Sequence, residues 1–301
     1  MVVPSFVNAH THLELPRQDT PPGEGLVAWV RALRAGLPAS REAFDRNHDE
    51  AHRLGTAAVI DVSNNGFRGP LPGYYLHEVL GLFEREPVPP RATPHALYST
   101  GIRRLHACEA RAEEEGRHWS IHIDEDAAET DFTTRGEGAW ADYHRELGRD
   151  LAGYRVTGFR PVELLDMARL LTPRSILVHC TLSREVDIDL IADRGAAIVI
   201  CPRSNLHITG RLPDVPAMIA RKVPVMIGTD SLASSPDLDL LAEVAVLRRA
   251  FPQIRLSYWL DCLTRVPREF LYLALPSRLE FDVADLETLF DGTSWPRRWL
   301  S

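Results

Sequence analysis

Val2-Val3-Pro4-Ser5-Phe6-Val7-Asn8-Ala9-His10-Thr11-His12 opens the chain, and its reading decides the fold. A short apolar run, 2–7, ends in two histidines one residue apart. On an extended chain, residues i and i+2 point to one face, so two such imidazoles can grip one metal ion. The run itself reads as a strand buried on both faces. Alone the pair is weak. Twelve histidines among 301 residues produce roughly 0.5 such pairs by chance.

The same pattern recurs further along. Short runs rich in Val, Ile or Leu predict strands at 57–62, 76–83, 91–97, 119–123, 175–179, 196–200 and 223–227. Helical patterns lie between them at 25–37, 40–54, 102–115, 160–171, 185–194, 237–250 and 257–275. Gly116, Thr172-Pro173 and Gly195 act as stops. Eight strands, each followed by helix or loop, predict an α/β fold of the (β/α)8 barrel type rather than an open sheet. At about 150 residues per domain the length suggests two domains, but barrels of about 250 residues count as one. The expected division is a barrel over 1–275 and a short tail over 276–301. The charged, Gly-dotted stretch 130–159 is expected as a long loop with some helix.

Composition narrows the class. With 45% hydrophobic and 25% charged residues, the chain is neither disordered nor membrane-like. No apolar run nears the ~18 residues of a membrane span. The first six residues lack the basic and apolar regions of a signal peptide. Cys108, Cys180, Cys201 and Cys262 are dispersed with no Cys-x-x-Cys, which fits reduced thiols in a cytoplasmic protein. A net charge of −8 argues against nucleic acid as the main partner. Lys222 is the single lysine. That removes mechanisms needing a lysine Schiff base, a P-loop lysine or a carbamylated bridging lysine.

The remaining polar residues fall at strand ends. His122 ends the fifth expected strand, His179 closes the sixth, and Asp230 follows the eighth in Gly228-Thr229-Asp230-Ser231. In a barrel all such ends converge on one mouth, where catalytic groups sit. One histidine at a strand end is usually a rim residue, and an Asp after Gly-Thr is usually a helix cap. The whole set, in metal-ligand types, is hard to obtain by chance. Its N and O donors suit a zinc-type cation with a position left open. His12-Leu13-Glu14 also matches His-x-Glu of the cytidine-deaminase zinc signature, but the required Pro-Cys-x-x-Cys is missing.

Together Pro4-Ser5-Phe6-Val7-Asn8-Ala9-His10-Thr11-His12, His122-x-x-Glu125, His179, Cys201-Pro202-Arg203-Ser204-Asn205 and Gly228-Thr229-Asp230-Ser231 resemble the amidohydrolase superfamily. They are most similar to its deaminase and chlorohydrolase branch. Thr93-Pro94-His95-Ala96-Leu97-Tyr98 resembles a substrate-contact segment of that branch. The resemblance implies one divalent metal, with zinc the first choice and iron or manganese the alternatives. It implies His10, His12, His122 and Asp230 as ligands. His179 would hydrogen-bond the attacking water or the substrate, with direct ligation as the alternative. Glu125 would be the general acid and Asp230 would take the water's proton. His95 and Tyr98 are candidates for substrate binding. Glu14 is a third, reaching a sugar hydroxyl or holding a loop. Glu129, Arg203 and Asn205 read as supporting structure, and Ser231 and Ser234 as caps of the helix near Asp237.

The chain departs from the branch in one respect: the accessory β-sandwich is largely absent. Either the start is mis-assigned or the sandwich was lost, and a loss would leave an apolar surface for a second copy. The expected activity is deamination of an amino-substituted heterocycle, with an aminopurine nucleoside such as aminodeoxyfutalosine as first choice. Alternatives are hydrolysis of another C–N or C–Cl bond, as in chlorohydrolases or cyclic-amide hydrolases, and an inactive barrel. Glu125 favours deamination, because a ring nitrogen must be protonated there. The intact ligand set argues against inactivity. The partner is a small molecule, with no nucleic acid and no membrane.

Overall fold

The computed structural model describes residues 1–20 and 22–300. A short strand, β1 (Val2–Pro4), precedes eight parallel strands: β2 (Phe6–Thr11), β3 (Thr56–Ser63), β4 (Gly73–Val79), β5 (Ala92–Pro94), β6 (Trp119–Ile123), β7 (Ser175–His179), β8 (Ala197–Ile200) and β9 (Val225–Ile227). Two more, β10 (Arg278–Glu280) and β11 (Arg298–Leu300), lie near the end. β2-β3-β4-β5 form one parallel sheet and β6-β7-β8-β9 another. Single parallel bridges join them at both seams, Ala96 to His122 and Thr11 to Asp230. The eight strands thus complete the ring of a (β/α)8 barrel, and both joins fall at its C-terminal mouth.

Two side chains secure the second seam: Thr11 Oγ1 donates to the Asp230 carbonyl at 3.0 Å, and Asn8 clasps Thr229. Asn8 donates from Nδ2 to Thr229 Oγ1 at 2.8 Å, and its Oδ1 accepts from the Thr229 N–H at 3.1 Å. The His10 carbonyl accepts from the N–H groups of Thr229 and Asp230, each at 3.1 Å. Gly228 permits the approach, since a Cβ there would lie 2.6 Å from the His10 carbonyl oxygen.

The core has two layers. Val7, Ala9, Ala58 and Ile60 from one sheet pack against Ile176, Val178, Ala197 and Val199 from the other, which places them inside the ring. Ile121, Leu177, Ile198 and Ile227 alternate with the interior positions and pack outward against helix residues such as Leu105, Ile188 and Val244. Lys222 precedes β9, at the end of the barrel opposite the mouth.

Several boundaries differ from the sequence expectation. The run 2–7 is two strands, because Pro4 has no N–H to continue a ladder. β1 pairs antiparallel with β10, which pairs with β11, so the N-terminus and the tail share a three-stranded sheet outside the barrel. The third strand is Gly73–Val79 rather than 76–83, and Leu80 and Phe83 are exposed. The pattern at 257–275 divides into Leu256–Leu263 and Arg265–Phe270, since Pro267 opposes the carbonyl four residues earlier. The stretch 130–159 holds more helix than expected, in Ala127–Arg135 and Ala139–Glu146. After β8, Pro202–Thr209 is a helix with Pro at its start and left-handed Gly210 at its end. Ser231 and Ser234 do not cap a helix near Asp237. That helix is Leu240–Ala250, capped by Asp239. Among the described residues no helix is long and apolar enough to cross a membrane.

Asn8→Ala removes both Asn8 bonds to Thr229, while the Thr229 N–H keeps the His10 carbonyl. A loss of about 1–3 kcal/mol in urea unfolding is expected. A loss below about 0.5 kcal/mol would show that Asn8 does not secure the closure.

Candidate active site

Three imidazoles meet inside the mouth. His122 Nε2 lies 3.2 Å from His12 Nε2 and 3.2 Å from His10 Nε2. Asp230 Oδ1 lies 3.7 Å from His12 Nε2 and 3.9 Å from His10 Nε2. Donors around a tetrahedral zinc, with Zn–N near 2.0–2.1 Å, are about 3.3 Å apart. The tautomer also fits. His122 Nδ1 donates to the His95 carbonyl at 3.0 Å, which leaves Nε2 a bare lone pair aimed at the other two rings. Three imidazole nitrogens beside a carboxylate oxygen at these separations match the spacing of ligands around one cation. The donor set therefore fits a divalent metal.

Asp230 is fixed from behind. Its Oδ2 accepts from Ser204 at 2.5 Å and from Ser234 at 2.9 Å, so Oδ1 alone faces the imidazoles. His179 stands further off, its ring 5.5 Å from that of His122 and 6.1 Å from that of His10. The Asn205 amide meets His179 Nδ1 at 3.2 Å and Thr181 Oγ1 at 2.7 Å. That turns His179 Nε2 toward Glu125 Oε1, 3.6 Å away. Arg203 faces away and pairs with Glu243 and Asp237.

The backbone at these strand ends is unusual. Asp124, His179, Cys180 and Asp230 have φ of 49°, 76°, 48° and 58°. Each such left-handed residue costs roughly 1–3 kcal/mol and persists only where its surroundings enforce it. In β7, Val178 already points inward, so plain alternation would send His179 outward. The left-handed turn brings it back. In β2, Val7 and Ala9 point inward, and a register irregularity between Asn8 and Thr11 lets His10 turn inward as well.

Burial sets the charges. It drives His10 well below its ordinary value and lowers His122 and His95 to about 3 and His179 to about 4, with neighbouring rings adding to the effect. These rings are neutral at pH 7. For His12 burial acts downward, but Glu78, Asp230, Asp61 and Glu14 outweigh it and raise the value. For Asp230 burial is overcome by His12 and His179, and the carboxylate stays ionised. Glu125 goes the other way: burial, then the charge of Asp230, raises it well above the usual carboxylate range.

A cavity of about 250 Å³ opens over the donors, bordered by Trp29, Glu78, His95, Tyr98, Glu125 and Trp140 among others. Tyr98 stacks on Trp140 at 3.8 Å and 9°. His95 Nδ1 meets Ser99 Oγ at 2.7 Å. Glu14 borders the cavity too, but its carboxylate is engaged by Ser63 Oγ, the N–H of Asn64 and the side chain of Asn65. Glu78, Trp29 and Trp140 escaped the sequence reading. With a strand drawn at 76–83, Glu78 sat in its middle. At the end of Gly73–Val79 it occupies the same kind of position as His122.

Fold and donor set define a barrel hydrolase of the metal-dependent kind. The amidohydrolase family model matches residues 74–274, and the chain belongs to that family. It is 30% identical over 288 residues to the aminodeoxyfutalosine deaminase of Deinococcus radiodurans, covering 84% of this chain and 69% of that protein. It is 29% identical over 280 residues to a 5-methylthioadenosine/S-adenosylhomocysteine deaminase of Nitratidesulfovibrio vulgaris, covering 81% of this chain. That match spans only 59% of the relative's length. In structure it is similar to the aminofutalosine deaminase of Helicobacter pylori, with a TM-score of 0.81 at 18% identity, covering 96% of this chain and 81% of that one. A zinc-containing atrazine chlorohydrolase from Arthrobacter aurescens shares the fold at a TM-score of 0.70 and 16% identity, covering 96% and 79%.

His122→Ala is expected to abolish metal retention through dialysis, whereas His179→Ala keeps the metal, as read by elemental analysis of the two proteins. Loss of metal from both to the same degree would make His179 a ligand.

Proposed function

We propose that this chain is a mononuclear metal-dependent hydrolase that deaminates an amino-substituted heterocycle. The first-choice substrate is an aminopurine nucleoside such as aminodeoxyfutalosine. The observation that carries the reading is Glu125, an acid that borders the cavity and whose burial raises it well above the usual carboxylate range. Hydrolysis of a ring C–NH₂ requires a proton at the adjacent ring nitrogen, and a protonated carboxyl group there supplies it. The deaminase names of the relatives support the same choice.

His10, His12, His122 and Asp230 would hold one cation, zinc by preference, with iron or manganese as alternatives. When bound, such a cation makes a water acidic enough to ionise near neutral pH. The chain's own groups do the rest. Glu125 protonates the ring nitrogen, which makes the amino-bearing carbon electrophilic. Asp230 accepts a proton from the water as its oxygen bonds to that carbon. His179 orients the reacting groups from beside Glu125. A proton passed on through Glu125 lets the amino group leave as ammonia, and the ring carbon ends as a carbonyl. His95 and the Tyr98–Trp140 stack would hold the ring, while Glu14 acts through the loop it fixes.

A single metal is favoured because β5, the fourth strand of the barrel, has no lysine and Lys222 is at the opposite end. The sheet formed by β1, β10 and β11 would be part of the branch's accessory sandwich. A small-molecule partner, a cytoplasmic location and a homo-oligomeric state belong to the same reading.

Glu125→Gln is expected to keep its metal but to lower ammonia release by roughly 10²–10⁴-fold. The measurement is coupled ammonia detection against a panel of aminopurine nucleosides, pterins, pyrimidines and triazines. Wild-type turnover in the variant would remove Glu125 from the chemistry. No ammonia from any compound with metal-loaded wild type would overturn deamination. Two tightly held metals per chain would overturn the mononuclear site.

A further inference from the structure

His179 has two ring nitrogens, and one of them is met from behind by a neighbouring element. Asn205 lies in the helix Pro202–Thr209 that follows β8, and it is fully buried, as is His179 at 1% exposure. The Asn205 amide nitrogen lies 3.2 Å from His179 Nδ1, and it donates to Thr181 Oγ1 at 2.7 Å. Asn205 Oδ1 is buried without a hydrogen-bond partner among the described residues.

This contact settles where the imidazole proton sits. An amide nitrogen has only hydrogens to offer, so it meets Nδ1 only if Nδ1 is bare. Turned over, the amide would give up both N–H partners for two contacts to its oxygen. Buried N–H groups left without acceptors are rarer than under-satisfied carbonyls. The ring is neutral at pH 7, so its one proton is on Nε2. The same amide holds Thr181, two residues on, and cannot rotate away from Nδ1 without releasing that loop.

We propose that Asn205 is a positioning residue that holds His179 in the Nε2–H tautomer, so that the ring acts at the reacting centre as a hydrogen-bond donor and in no other way. This rests on the hydrolase reading above. Nε2 lies 3.6 Å from Glu125 Oε1, and both residues border the cavity. A ring with Nδ1 engaged and Nε2 protonated has no lone pair to spare. It can neither take the water's proton nor ligate the cation, which leaves the first task to Asp230 and the second to the four donors described above. It can donate to the oxygen that attacks the ring carbon, and that bond strengthens as negative charge builds there. The competing account is that Asn205 only ties its helix to the loop after β7. The Thr181 contact alone would do that, and it predicts nothing about the ring.

The test reads the ring nitrogens directly. Protein made with isotope-labelled histidine is examined by proton–nitrogen correlation spectra, which separate a protonated ring nitrogen from a bare one. The His179 signals are identified by their absence in His179→Gln. Wild type is expected to show Nε2 protonated and Nδ1 bare, and added zinc is expected to leave that pattern unchanged. In Asn205→Asp a carboxylate, which can only accept, is expected to draw the proton to Nδ1. Ammonia release by that variant is expected to fall in kcat by roughly 10²–10³-fold, the range for losing one donor to a developing oxyanion. KM is expected to stay within about threefold. A wild-type His179 protonated on Nδ1 overturns the proposal and needs no variant to fold. Loss of the Nε2 proton when zinc binds makes His179 a ligand and also overturns it. So does an Asn205→Asp protein that loses activity with the wild-type tautomer, or keeps its kcat with the reversed one. If His179 shows Nε2–H and no compound yields ammonia, the tautomer stands and the hydrolase reading has failed.

Discussion

The carbonyl of His10 accepts two backbone N–H groups, from Thr229 and Asp230, and the site depends on that junction. Residues about 220 positions apart are joined through a peptide group that carries one imidazole of the site. The same contact closes the barrel and sets Asp230 beside His10 and His12. Asn8 clasps Thr229 from the side, and Gly228 is small enough to let the two backbones approach. Ring closure and assembly of the donors are therefore one event. A barrel that failed to close here would lose the geometry of its donors along with its stability.

Closure alone would not aim the side chains. Alternation along β2 and β7 points Val7, Ala9 and Val178 into the barrel, which leaves His10 and His179 on the wrong parity. An irregular register in one strand and left-handed residues in the other reverse this. At roughly 1–3 kcal/mol each, four left-handed residues are a substantial load for a fold of ordinary stability. The load is carried by the dry layers beneath, where fully buried aliphatic residues from both sheets interlock.

This division explains what could be read from the sequence. β6 and β7 are regular runs of five buried residues, and both were legible to the residue. The convergence of His10, His12, His122 and Asp230 was legible because strand ends in a barrel share one mouth. The split at Pro4 was missed because Val2-Val3 and Phe6-Val7 have the same apolar character, although they serve different sheets. Glu78 was missed through a boundary shift of a few residues, caused by Leu80 and Phe83, which look like strand residues and lie exposed. The inward turn of His179 left no trace, since left-handed backbone at a non-glycine residue has no side-chain signature.

The two sides of the cavity differ in kind. Its floor is polar and rigid, made of strand ends and residues that hold them. Its outer wall is apolar and mostly helical, built from Leu26, Trp29, Tyr98, Trp140 and Ile208. Asp126 joins the two. It caps its own helix through the Ala128 N–H, and its other oxygen accepts from the Leu26 N–H, the start of the helix Leu26–Ala35. Trp29 Nε1 and an ion pair between Arg31 and Glu146 pin that helix further along. Asp126 directly follows Glu125. The contact that fixes the outer wall to the polar floor therefore lies one peptide unit from the carboxyl group proposed as the acid.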